Sequence, residues 1–454
     1  MRKAIFIAAT LLVAVLLVSA FFRKPDASAD EVIVISPHWD GIKDETARAF
    51  ADWHERKYGR PVTIRWREAG GGTSQIIRLL TAEYKTHSTA GVDVLYGGGV
   101  DPFVALARAG LLTRYEPPAA ILQQIPPQLD GMEIYDPGHF WFGAALSGFG
   151  IITNEKAREA VGLPEVHTWA GLADPRLSGW ISACDPRDSG SAMQIYEIVL
   201  QAYGWEKGWA ILMEMSGNVR NFLASSASSA VEVGVGDAAY GVAIDSYGEA
   251  QAGYYGPENV RFLLPEGQTT ISPDSIAILK NPPHPELAQH FLEFVLSRDG
   301  QLLWMEPKGA PGGSVRHAIN HMSVMPALYD ELKGSTPILT NPFTMRNDLV
   351  YSNDLGSHRR AILSVLIAAS MIDTHDALVR TWKALNSPAA QKLPEEKRAA
   401  LLAEFVTPPC SDADLLHLAD TDWKDSVKRT ALVNRWQSEA LDRYKSVLAQ
   451  IPGS

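Results

Sequence analysis

Two patterns divide this chain. Up to about residue 320, short apolar runs bounded by glycine or proline alternate with segments whose apolar residues recur every three or four positions. Glu31 to Ser36 reads as a buried first strand ending at Pro37, Gly41 to Tyr58 as a helix, and Pro61 to Arg67 as a strand with Val62, Ile64 and Trp66 alternating. A helix from Gln75 to Tyr84, a strand from Val92 to Tyr96 and a helix from Pro102 to Ala109, stopped by Gly110, continue the series. This alternation predicts an α/β fold around a parallel sheet. The apolar stretch from Trp141 to Ile152, with flexible glycines at Gly148 and Gly150, is suited to carry the chain between two lobes. A strand from Trp180 to Ala183 then leads into a helix striped by Ala192, Ile195, Ile198, Val199 and Ala202 and closed by Gly204. Strands up to Ile244 and from Ser272 to Leu279 follow, with an extended piece from Val260 to Pro265 and an apolar-faced helix from His290 to Leu296.

From about Met322 the strands stop. Leu355 to Leu385, Glu395 to Phe405 and Asp412 to Gln450 read as helices, and Leu415, Leu418, Trp423, Val427, Leu432, Trp436, Leu441 and Tyr444 approximate a stripe, so that these helices pack on a lobe or on each other as a helical cap. The expected division is residues 1–29 as a signal peptide, 30–147 and 251–321 as one lobe, 148–250 as the other, and 322–454 as a helical C-terminal extension.

The 454 residues suffice for two or three domains. A formal charge of -11 without a basic run excludes a phosphate-tracking nucleic-acid surface. Arg2 and Lys3, the apolar run from Ala4 to Phe22 and the small-residue site Ala27-Ser28-Ala29 form an export signal; an uncleaved membrane anchor is the alternative. Cys184 and Cys410 are the only cysteines, so no disulfide framework exists and both are read as free thiols, with a single bridge between them as the alternative.

The candidate chemistry lies at helix starts. Gly72, Thr73 and Ser74 leave a strand and enter a helix; Asp188, Ser189, Gly190 and Ser191 do the same after Cys184, and Gly98 sits in a glycine triplet at a strand end. Unpaired N–H groups and partial positive charge make such turns cradles for an anion, although an ordinary serine cap has the same sequence. Asp245 and Tyr247 offer a carboxylate and a phenol after another strand. No Gly-Lys-Ser or Gly-Lys-Thr follows either glycine cluster, so a nucleotide P-loop is excluded, and no His-Glu-x-x-His or Gly-x-Ser-x-Gly signature points to an enzyme. His317 and His321 are four apart, yet Ala318 stands where a metalloprotease needs Glu, and two imidazoles alone make a poor metal site. No cofactor or metal is expected.

With the turn at Gly70 to Ser74, the crossover at Gly148 to Asn154, Asp185-Pro186-Arg187-Asp188-Ser189-Gly190-Ser191, Tyr203-Gly204-Trp205, Asp245-Ser246-Tyr247 and Pro273-Asp274-Ser275, the chain resembles the periplasmic solute-binding proteins of ABC transporters. Within them it is similar to the ferric-ion, hexose-phosphate and phosphonate group, over roughly Asp30 to Arg316. The resemblance implies a two-lobed, type II-like α/β binding-protein fold, a monomer that closes on a small solute in the periplasm or at the cell exterior and delivers it to a permease in the inner membrane. Ferric binders of this group use adjacent tyrosines where this chain has Ser246-Tyr247, and Tyr254-Tyr255 comes late and reads as a surface turn. A small anionic solute, phosphorylated or phosphonate-like, is therefore the expected ligand. Ferric iron, a polyamine or thiamine, or a membrane-anchored interaction protein without a ligand, are the alternatives.

Overall fold

Nine strands form one sheet: β1 (Asp30–Ile35), β2 (Val62–Arg67), β3 (Val94–Tyr96), β4 (Phe142–Asn154), β5 (Ile181–Cys184), β6 (Val219–Leu223), β7 (Tyr240–Ile244), β8 (Val260–Leu263) and β9 (Ile271–Ile278). They come from a computed structural model that describes residues 30–453 except 130, 339, 346 and 347. The export signal expected over residues 1–29 lies outside the described residues.

Side-chain alternation along β1 explains why the sheet is covered on both faces. Val32 and Val34 enter one apolar core and Ile33 and Ile35 another, because successive residues of a strand point to opposite sides. Parallel pairing of β1 with β2 and β3 requires crossover connections, supplied by the helices α1 (Asp40–Tyr58) and α2 (Thr73–Thr86), and α3 (Val100–Arg108) follows β3.

The spatial order is β2-β1-β3-β9-β4-β7-β5-β6, with β8 also on β4. β4 is buried along all 13 residues and belongs to two neighbourhoods. Its first half, Phe142 to Gly148, pairs antiparallel with β9; Phe149 to Thr153 pairs with β7, and Ile151 to Asn154 with β8. The midpoint at Gly148 is thus where the chain passes from one lobe to the other. Gly148 and Gly150 allow close approach there, since a Cβ at Gly150 would lie 2.1 Å from the Leu263 carbonyl oxygen. Residues 260–263 side with the second lobe through β8, and Met322, Val324, Met325, Leu328 and Leu332 lie in the core of the first.

The remaining helices that matter here are α4 (Gly190–Tyr203), α5 (Ser226–Gly234), α6 (Asp245–Tyr255), α7 (Asn353–Ile367), α8 (His375–Leu385) and α9 (Ser426–Ala449). Three local readings change. Leu355 to Leu385 is not one rod: a π-helical turn, Ala368–Ile372, ends α7, and the axis bends 60° before α8. Asp412 to Gln450 is split into Asp412–Asp420 and α9 by the turn around Thr421. Tyr254 and Tyr255 form the last turn of α6 and no surface loop. Extension residues from Leu349 to Ile451, including Ile362, Leu366, Trp382, Trp436 and Tyr444, share a single core with Trp209, Met215 and Val199 of the second lobe. Among the described residues no single helix is long and apolar enough to cross a membrane.

Candidate functional site

Six helices begin at one place. A cavity of about 360 Å³ between the lobes is lined by Trp39 before α1, Gly72 and Thr73 at α2, Gly98 and Gly99 before α3, Ser189 to Ser191 at α4, Ser225 to Ala227 at α5 and Ile244, Ser246 and Tyr247 at α6. Each start presents N–H groups with no acceptor inside its own helix and the positive end of its dipole. Ser189 Oγ and Ser225 Oγ each cap one of those groups, accepting from the Ala192 and Ser228 N–H, and they leave the rest. The N-cap residues of α1, α2, α3 and α6 make no side-chain cap at all. Among the described residues the cavity wall contains no lysine or arginine, so main-chain amides supply most of its positive field.

The floor is polar in a way the sequence pattern did not reveal. Ser147 on β4 and Ser272 on β9 are register partners, 1% and 2% exposed, and neither hydroxyl has a hydrogen-bond partner among the described residues. A buried hydroxyl without a partner costs free energy, and both of these line the cavity, where a polar solute would complete them. Changing either serine to alanine should weaken solute affinity about threefold to tenfold, the worth of one hydrogen bond, with the melting temperature of the free protein unchanged or slightly raised; titration calorimetry and thermal melting check both.

His38 and Asp274 stand beside the serines. His38 Nε2 donates to Asp274 Oδ2 at 2.6 Å, the Gly98 N–H donates to the other carboxylate oxygen, and the imidazole Nδ1 has no partner among the described residues. Burial works to raise the Asp274 carboxyl, but the attraction and hydrogen bond of His38 and the Gly98 amide hold it below its ordinary value. Asp274 therefore stays ionised and fixes the imidazole. His321 also lines the wall. Its Nδ1–H donates to the Leu146 carbonyl at 3.1 Å, and burial lowers its pKa against the pull of Asp274. His317 lies apart in a loop, its Nε2 3.7 Å from Asp44 Oδ2, so the two histidines four apart form no metal site.

Of the residues singled out from sequence, Gly72, Thr73, Gly98, Ser189, Gly190, Ser191 and Tyr247 line this cavity, and Ser74, Asp188 and Asp245 do not. Ser74 and Asp188 face a groove outside, where Asp188 Oδ1 accepts from Arg78 at 3.3 Å. Asp245 turns back onto the main chain, accepting from Gly148 N–H at 2.9 Å and Ser246 N–H at 2.7 Å. Burial pushes its carboxyl up to about 7. Sequence reasoning missed His38, Ser147 and Ser272, quoted Asp274 only within a motif and weighed His321 only as a metal ligand.

The lobes touch directly beside the cavity. A Cβ at Gly72 would lie 2.8 Å from the Asp188 carbonyl oxygen, and one at Gly190 would lie 2.8 Å from Thr73 Cβ. Arg78 of α2 reaches across to donate to the Arg187 carbonyl at 2.5 Å. The state described is closed.

Solved structures share this architecture. The periplasmic binding protein AfuA from Actinobacillus pleuropneumoniae, with fructose-6-phosphate bound, superposes with a TM-score of 0.60 at 18% identity, covering 78% of this chain and 98% of its own. Iron-bound HitA from Pseudomonas aeruginosa gives 0.55 at 21% identity, covering 74% and 99%. A substrate-binding protein of an ABC transporter from Agrobacterium tumefaciens gives 0.55 at 15% identity and covers 92% of this chain and 96% of its own. At these identities the likeness concerns fold, which is the two-lobed periplasmic-binding-protein fold. In sequence, the phosphoglycerate transport regulatory protein PgtC of Salmonella typhimurium is 25% identical over 311 residues, 68% of this chain and 72% of its own length. The family model described as bacterial extracellular solute-binding protein matches residues 92–324, more than half of the 454. This chain belongs to the bacterial extracellular solute-binding protein family.

Proposed function

We propose that the protein captures a small phosphorylated or phosphonate-like organic solute between its lobes outside the cytoplasm and delivers it to an ABC-transporter permease, without altering it chemically. The observation that carries this reading is the convergence of six helix starts on one cavity whose wall, among the described residues, holds no lysine or arginine. Main-chain amides arranged this way suit the several oxygens of one compact anion. Ser147, Ser272, His38 and Tyr247 are placed along the wall to meet the hydroxyls of the organic part. The names of two relatives point the same way, one structure holding fructose-6-phosphate and one curated protein serving phosphoglycerate transport.

Ferric iron fits less well. Among the described residues the cavity offers one phenol, Tyr247, while Tyr254 is 80% exposed at the far end of α6. Because the PgtC relative is named a transport regulatory protein, a signalling role for the same closed, loaded form is the second reading.

A thermal-shift panel tests the ligand class: 3-phosphoglycerate, fructose-6-phosphate, an alkylphosphonate, inorganic phosphate, glycerate, fructose, ferric citrate, spermidine and thiamine. A solute that binds only the folded state stabilises it by about 2.7 kcal/mol at a hundred times its Kd. The expected result is a clear rise in melting temperature with at least one phosphorylated or phosphonate solute and none with glycerate or fructose. A rise confined to ferric citrate or to the cations would overturn the reading. Recovery of the bound solute unchanged after prolonged incubation checks the absence of turnover.

A further inference from the structure

The C-terminal extension is fastened to the two lobes by different chemistry. To the second lobe it is welded: Ile362, Leu363, Leu366, Trp382 and Trp436 are buried in the same core as α4, and Gly217 packs so closely that a Cβ there would fall 2.4 Å from Trp382 Cγ. To the first lobe its ties from Leu349 onward are polar. Among the described residues no apolar side chain beyond Met345 belongs to either first-lobe core. Instead Arg360 Nη1 lies 3.6 Å from Asp101 Oδ2, the Tyr351 hydroxyl donates to the same oxygen at 3.3 Å, and Arg108 of α3 pairs with Asp354 of α7 at 2.5 Å. Arg360 at the same time donates from Nη2 to the Gly190 carbonyl at 3.4 Å, at the rim of the solute cavity.

Asp101 is 2% exposed and its second oxygen, Oδ1, has no partner among the described residues. A carboxylate buried this deeply depends on the cation beside it. Hydrophobic packing moves α7 as a rigid part of the second lobe, so any separation of the lobes pulls Arg360 and Tyr351 away from Asp101. The contact exists only when the cleft is shut.

We propose that the C-terminal extension is a clasp: carried by the second lobe, it grips Asp101 of the first through Arg360 and Tyr351 and so biases the molecule toward its closed form. This concerns the closing equilibrium and holds for whichever solute the cavity takes. Arg360 is then a positioning residue that acts through lobe closure.

The test needs no solute. In a Cys410→Ser background, Arg78→Cys and Asp188→Cys place one thiol on each side of the cleft, where the parent side chains meet at 3.3 Å. Cys184 is fully buried and does not compete. The rate of cross-linking by a short bismaleimide reports how often the lobes close. Arg360→Gln, Asp101→Asn and the milder Tyr351→Phe should each slow it, the first two about threefold to tenfold, while melting temperatures show that the fold persists. Cross-linking as fast in Tyr351→Phe and Arg360→Gln as in the parent would overturn the clasp. Slowing by Arg360→Gln with no effect of Asp101→Asn or Tyr351→Phe would also overturn it, leaving Arg360 a local support for the Gly190 turn.

Discussion

Replacing Gly190 with valine is expected to weaken solute binding about fivefold to a hundredfold, while the free protein melts as before. In the closed form a Cβ at this position meets Thr73 Cβ at 2.8 Å, Thr73 Oγ1 at 3.0 Å and Arg360 Nη2 at 3.4 Å, and the two further methyl groups of valine have no room. Overpacking of this kind costs about 1–3 kcal/mol even where neighbours can yield, and each 1.4 kcal/mol is about tenfold in Kd. Gly190 is the first residue of α4 and has no positive φ, so valine is tolerated there by the second lobe itself. The overlap with Thr73 arises only across the cleft. Gly72→Ala is the companion variant: its Cβ would lie 2.8 Å from a main-chain oxygen, that of Asp188, which cannot rotate aside. Calorimetric titration with the solute that gives the largest thermal shift checks both. Full affinity in Gly190→Val would mean that the lobes do not come together as described.

Arg359→Ala should cost about 3–5 kcal/mol of stability, the usual result of removing one partner of a buried ion pair. Arg359 of α7 is 2% exposed and Glu197 of α4 is 1% exposed; the guanidinium meets the carboxylate through Nη2 at 2.7 Å and Nε at 3.0 Å, and pairs also with Asp412. Its planar face lies 5.2 Å from the ring of Trp205. Alanine strips these contacts at once and leaves Glu197 charged in a dry site. The double change Arg359→Met with Glu197→Leu should recover most of the loss, because burying neither charge avoids the desolvation penalty. Urea denaturation of the three proteins measures this. Near-wild-type stability of Arg359→Ala would show that the extension is not integral to the second lobe.

The order of strands and helices was legible because each core-facing segment keeps its own period. β1, α1 and β2 appear within a residue or two of where the periodicity places them. The extension was harder. Its apolar stripe runs on through Ala368 to Ile372, so nothing in the hydropathy betrays the π-helical turn or the 60° bend that lets α8 pack on the second lobe. The cradles at Gly72, Gly98 and Gly190 were visible because small residues at strand-to-helix turns are rare enough to notice. Ser147 and Ser272 were not, since a single serine in an apolar strand reads as strand; their pairing across β4 and β9 is a long-range fact. Asp274 was quoted only as part of a motif, and what it does depends on His38, 236 positions away. Asp188 and Asp245 carry the right charge pattern for a turn, but local amides and Arg78 claim their carboxylates.

Amide NMR of the full chain tests most directly whether main-chain amides from both lobes grip one anion. Titrating 15N-labelled protein with the phosphorylated solute selected by thermal shift should move the N–H signals of Thr73 and Val100 in the first lobe and of Gly190, Ser191 and Ala227 in the second together, saturating at one equivalent. The same titration with the dephosphorylated solute should leave them in place. Perturbation confined to one lobe, or centred away from these helix starts, would contradict the account.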